Sequence, residues 1–111
     1  MTPFAPLTEF DFHPRLAATP GVSLVLFSSP TCGACRRMEA MLPKGAEGVS
    51  LFRVDVQQST ALARQFDVFH LPALFLFVAG RYHAEIRCEA LPEAIRDTIK
   101  AALAMPPEEE P

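Results

Sequence analysis

The chain lacks most of the features that would assign it at a glance. It has three cysteines in 111 residues, and its opening, MTPFAPLTEFDF, has neither a basic start nor a long apolar stretch. Export has no visible route in such a start, so the expectation is a cytoplasmic protein. That cysteine count argues against a structural disulfide framework. In a reducing compartment, closely spaced cysteines more often mean redox chemistry or metal. No sign of charge dominates either. The formal net charge is −3, and Glu108, Glu109 and Glu110 in the tail MPPEEEP account for all of it. A near-neutral body gives a polyanion or an anionic lipid surface nothing to hold, so neither nucleic acid nor membrane is expected as a partner. The longest apolar run, LPALFLFVAG, is too short to span a bilayer. A Gly-rich phosphate loop, an HExxH motif and a serine elbow are all missing, and no cofactor is implied.

What is present is core material. Half the residues are apolar and nine are phenylalanine, enough for one domain of ordinary size. Four prolines in residues 1–21 forbid a long helix there but allow a short edge strand near Phe4 to Leu7 and a helical turn or two around Pro14 to Ala18. VSLVLF (22–27) is a buried strand by length and β-branched content. A helix follows from near Cys32, with Cys35, Met38 and Leu42 on its buried stripe, and ends before Pro43 and Gly45. SLFRVDV (50–56) reads as a strand, Ser59 as the cap of a short helix carrying Leu62 and Phe66, and ALFLFV (73–78) as a strand. The turn AGR leads into YHAEIRC, where alternation puts Tyr82, Ala84, Ile86 and Cys88 on one face and His83, Glu85 and Arg87 on the other. A last helix starts at Pro92 with the stripe Ile95, Ile99, Ala102 and Leu103. Apolar strands joined by helices imply a parallel core with an antiparallel hairpin partner. The expected fold is α/β, a three-layer sandwich with a central mixed sheet flanked by helices. It spans residues 1–105, followed by a disordered acidic tail at 106–111.

The segment SSPTCGACRRM (28–38) carries the chemistry. Its first cysteine, Cys32, falls at a strand-to-helix junction, where unpaired N–H groups and the positive end of the helix dipole favour an anion. A free thiol titrates near about 8.5, and this placement can bring it to about 7 or below. Arg36 and Arg37 add positive charge, but their side chains are expected to point away along the helix. Cys35 lies one turn deeper on the same face, so Cys32 reads as the exposed nucleophile and Cys35 as the buried resolving thiol.

SLVLFSSPTCGACRRM, followed by FRVDVQQ, FDVFHLPALFLFVAGR and the terminal helix, resembles the thioredoxin family over roughly residues 7–104. That family's motif is WCGPC followed by a basic residue; Thr31, Cys32, Gly33, Ala34, Cys35 and Arg36 stand in its place. The resemblance implies the thioredoxin fold and a groove lined by Thr31, Gly33 and Ala34. It also implies a cis peptide bond before Pro72 that leaves the Leu71 backbone free to pair with an extended substrate. The activity implied is thiol–disulfide exchange on disulfide-containing proteins, in the reducing direction, with an external flavoprotein reductase or a small thiol for recycling. The chain departs from the family at several positions. A buried aspartate six residues before the first cysteine is Leu26 here, and the preceding tryptophan is Thr31. A second aromatic position is Ser28, the motif proline is Ala34, and a glycine flanking the groove is Cys88. A lysine beside the missing aspartate is matched by Arg53, now without its acidic neighbour.

Other readings stand beside this one. Cys32 and Cys35 could be two small core side chains, or half of a tetrahedral zinc or iron–sulfur site completed by Cys88 and His70. The groove could hold a peptide without catalysis. Cys88 reads as core packing or as a regulatory third thiol. His70 reads as a solvated loop residue or as a modulator of Cys32. The phenylalanines at 66, 69, 75 and 77 read as core or groove wall.

Overall fold

A computed structural model describes residues 3–111; residues 1 and 2 of the expected domain lie outside the described residues. The elements in order are β1 (Phe4–Leu7), α1 (Phe12–Ala17), β2 (Val22–Ser28), α2 (Gly33–Gly45), β3 (Ser50–Asp55), α3 (Thr60–Gln65), β4 (Ala73–Val78), β5 (Arg81–Ile86) and α4 (Pro92–Leu103). They form one sheet of order β1-β3-β2-β4-β5, with β1, β3 and β2 parallel. β4 runs antiparallel to β2, and β5 antiparallel to β4. The mixed sheet between helical layers bears out the expected architecture. The third parallel strand is β1 and not β4, because β1 pairs with β3 at the proline-marked edge.

Each central strand is apolar on both faces because both are covered. Leu24 and Leu26 of β2 pack with Met38 and Leu42 of α2 and Ile95 and Ile99 of α4. Val25 and Phe27 pack on the other face with Phe12 and Leu16 of α1, Leu62 of α3 and Phe66. The layers are therefore α1 and α3, the sheet, then α2 and α4.

Four local expectations need correction. α2 does not stop before Pro43 but carries it inside and ends at Gly45. Proline forfeits one backbone bond, yet the Ala46 N–H still donates to Leu42 at 2.8 Å, and Gly45 is buried against Pro92 and Ile95 of α4. Tertiary packing thus carries the helix past the breaker. Ser59 is the N-cap of α3 by position, but its side chain makes no capping bond. Leu103 is exposed, so the buried stripe of α4 rests on Ile95 and Ile99. The alternation across β5 is broken as well: Phe77 pairs with Tyr82 but Leu76 with Ala84, which makes His83 an extra residue. Tyr82 accordingly joins the phenylalanine side, while Ile86 stays on the leucine side. His83, expected outside, is buried and donates from Nε2 to the Ala102 carbonyl at 2.7 Å.

The β4–β5 turn needs glycine at position 80. Gly80 has φ 79°, and a Cβ there would sit 2.6 Å from the Ala17 Cα. The tail at 106–111, for which disorder is expected, has no helix or strand. Its Glu108 N–H donates to the His83 carbonyl at 2.7 Å, beside the sheet's outer strand. Glu110 meets His13 of α1 at 2.9 Å.

Candidate active site

β2 ends at Ser28 and the chain turns through Ser29, Pro30 and Thr31 into α2, so Cys32 occupies the N-cap of that helix in an extended conformation. Its Sγ accepts a hydrogen bond from the Cys35 N–H at 3.0 Å. One orphan donor of the helix, the N–H of its third residue, is thus spent on this sulfur. The same N–H would stabilise it as a thiolate. Cys32 and Cys35 are joined as a disulfide, with Cα atoms 5.2 Å apart. Cys32 is half-buried, whereas Cys35 is 1 % exposed on the stripe with Met38 and Leu42. The first cysteine is thus partly open to solvent and the second is sealed behind it.

The surrounding residues divide into three groups. Ala34, Pro72 and Cys88 wall one cavity of about 380 Å³, together with Met38 and Leu91. Pro72, Met38 and Cys88 also wall a second cavity of about 370 Å³, where exposed His70 and Phe69 stand at the rim. The Leu71–Pro72 peptide bond is cis. The Leu71 side chain turns away to the phenylalanine side, so this residue can offer the groove only its backbone. Thr31 and Gly33 are exposed beside Cys32, and the Thr31 hydroxyl meets that of Ser29 at 3.4 Å.

Arg36 does not point away along the helix. Its guanidinium folds back and donates to the Pro30 carbonyl, which draws a cation toward the loop before Cys32. Arg53, aligned with Leu26 in the sheet, is not without an acidic neighbour: Glu39 of α2 reaches it at 3.9 Å. Position 39 is four residues after Cys35, and that helical spacing is the signal in the sequence that could have identified the pair.

Cys88 lies beyond the end of β5 and packs part-buried against the leucine side while opening onto both cavities. Burial pushes its thiol pKa up, with partial relief from the Thr98 hydroxyl. Among the described residues, no three His, Cys, Asp or Glu side chains gather as a metal site. Cys88 and His70 therefore do not complete a tetrahedral set with the cysteine pair. No helix among the described residues is long and apolar enough to cross a membrane.

The Thioredoxin family model matches residues 3–101. The chain belongs to the thioredoxin family. It is 29% identical over 104 residues to Thioredoxin-1 of Saccharomyces cerevisiae, covering 91% of this chain and 97% of the yeast protein. It is also 31% identical over 78 residues to the protein disulfide-isomerase-like protein of the testis of Mus musculus, covering 64% of this chain. This chain spans 13% of that mouse protein, a small part of its length. Among solved structures, human ERp44 in a zinc-bound form superposes with a TM-score of 0.75 at 21% identity, over 88% of this chain and 31% of that one, a likeness of fold. A cysteine pair at the start of a helix in a thioredoxin-family domain is the apparatus of thiol–disulfide exchange.

Proposed function

We propose that the protein reduces disulfides of other proteins by exchange at Cys32 and Cys35. The observation that carries this reading is the Cys35 N–H to Cys32 Sγ bond at 3.0 Å, at the N-cap of α2, with Cys35 sealed behind. In the reduced protein the Cys32 thiolate attacks one sulfur of a client disulfide. A Cys32–client bond forms, and the client's second sulfur leaves as a thiolate. Cys35 then gives up its proton and attacks Cys32, forming the Cys32–Cys35 disulfide and releasing the first client sulfur. Two electrons from an external reductase or a small thiol return the pair to its starting state. Pro72, Thr31, Gly33 and Ala34 border the path of the client chain, and the Leu71 backbone, with no hydrogen-bond partner among the described residues, supplies an edge for it to pair with. His70, Cys88 and Arg36 stand as modulators.

A reducing, cytoplasmic setting fits a chain with three cysteines, and a near-neutral body fits protein clients better than nucleic acid or membrane. Insulin reduction tests the reading. Turnover should vanish with Cys32→Ser, and Cys35→Ser should accumulate a mixed disulfide with the substrate. Measurable peptide affinity without insulin turnover would favour a noncatalytic peptide-binding module, and stoichiometric zinc or iron released by loss of Cys88 would favour a metal site.

A further inference from the structure

Seven of the nine phenylalanines are buried; Phe10 and Phe69 are exposed at 87% and 84%. Their surroundings differ. Phe10 stands on the turn between β1 and α1, whereas Phe69 is part of the wall of the 370 Å³ cavity, whose inner surface includes the buried side chains of Met38, Leu74 and Ile86. That cavity shares Met38, Pro72 and Cys88 with the one beside Ala34. An exposed aromatic ring thus borders a recess with an apolar floor, and that recess adjoins the cavity beside Ala34, a residue between the two cysteines. The charges around the recess are mixed: Asp67 and Glu85 face His70 and Arg87, and Arg87 meets Glu85 at 3.4 Å. No ionic preference follows from such a rim. A volume near the bottom of the range for ligand pockets, roughly 300–1,000 Å³, suits one large side chain.

Resting on the exchange reading above, we propose that Phe69 and this recess form a side-chain pocket that selects client disulfides with a leucine- or phenylalanine-like residue near the reacting cysteine. The occupant is the client chain itself, because the exchange step requires that chain at Cys32, and the recess shares Met38, Pro72 and Cys88 with the cavity at Ala34, two residues from Cys32. Side chains of an extended segment alternate, so one position relative to the client cysteine reaches the recess while its neighbours do not. Phe69 is then a specificity-determining residue, and it takes no part in the transfer of sulfur.

The test uses single-cysteine peptides in a Ser/Ala background, capped as mixed disulfides with glutathione, with one leucine walked from three residues before the cysteine to three after. The full-length protein should prefer leucine at one position by about tenfold in kcat/KM over alanine, the scale of one apolar group in a pocket. Phe69→Ser should reduce that ratio to below about twofold, Phe69→Leu should keep most of it, and Phe10→Ser should leave it intact. A flat positional profile, or a ratio unchanged in Phe69→Ser, would overturn the proposal while turnover of hydroxyethyl disulfide by the wild type leaves exchange standing. Concentration-dependent dimerisation abolished by Phe69→Ser would assign the ring to a self-contact and would also overturn it. Absence of turnover with every disulfide would overturn the exchange reading and this proposal together.

Discussion

Beneath α1 and α3 half the buried side chains are phenylalanine rings, set among leucine, valine and alanine. Phe12, Phe27, Phe66, Phe75 and Phe77 meet at tilted or edge-on angles, with centroids between 5.1 and 6.4 Å apart. Beneath α2 and α4 the core is mostly leucine, isoleucine and methionine, with Phe4 its one ring, and this side holds Met38, Leu74 and Ile86, which line the cavity at Phe69 and Pro72. Aromatic packing adds specific geometry to buried area, so the ring side stabilises the sheet as a platform. The aliphatic side seats the helix whose first turn holds the reactive sulfur. Stability and reactivity should therefore respond to different substitutions.

The sharpest way to break that separation is on the ring side. Phe66 contacts Phe12, Phe27, Phe75 and Tyr82, and Phe66→Ala should cost about 3–5 kcal/mol by denaturant melt. The alkylation rate of Cys32 in the remaining native protein should stay the same; a changed rate would mean that the two sides are coupled. Gly45→Ala acts on the other side, where a Cβ would lie 2.6 Å from the Pro92 carbonyl oxygen and 2.8 Å from the Ile95 Cβ. Forcing α2 from α4 should cost about 1–3 kcal/mol. A variant as stable as wild type would show that this helix contact is loose.

A smaller effect, with opposite sign, is expected in β2. The hydroxyl of Ser23 is buried with no hydrogen-bond partner among the described residues, so Ser23→Ala should gain up to about 1 kcal/mol. A loss on that substitution would reveal a partner.

The smallest change at neutral pH concerns Tyr82, the single tyrosine, whose pKa is pushed up to about 12 by burial first and then by the carboxylates of Glu108, Glu85 and Glu110. A folded pKa above the unfolded value means stability that is complete below about 10 and lost as pH rises through 12. Phenolate absorbance of the native protein should titrate correspondingly late. Glu108→Gln with Glu110→Gln should bring it part of the way back, because burial remains. An unchanged titration would place the tail away from the ring.

The strands and helices were largely legible in the sequence because each central strand is covered on both faces and each helix has a stripe. The missed features arise where tertiary contacts override local pattern. Pro43 reads as a stop, but Gly45 packed against α4 keeps the helix going. YHAEI reads as clean alternation, but the extra residue at His83 sends Tyr82 and Ile86 to opposite faces, and nothing local in the sequence marks that shift. At the site, the cysteine pair and Pro72 could be read from spacing and resemblance. The fold-back of Arg36 onto Pro30 and the exposure of Phe69 could not, since each depends on which way a side chain leaves an already correct element.

The central claim is that Cys32 is held ready as an anion at the start of α2 while Cys35 waits behind it. Alkylation of the reduced, folded protein by iodoacetamide across pH, mapped to each cysteine by mass spectrometry, tests it most directly. Cys32 should react rapidly at a pH where an ordinary thiol is still protonated, and Cys35 should stay unmodified until the protein is denatured. Equal labelling of both thiols, or a Cys32 titration at or above about 8.5, would contradict the account.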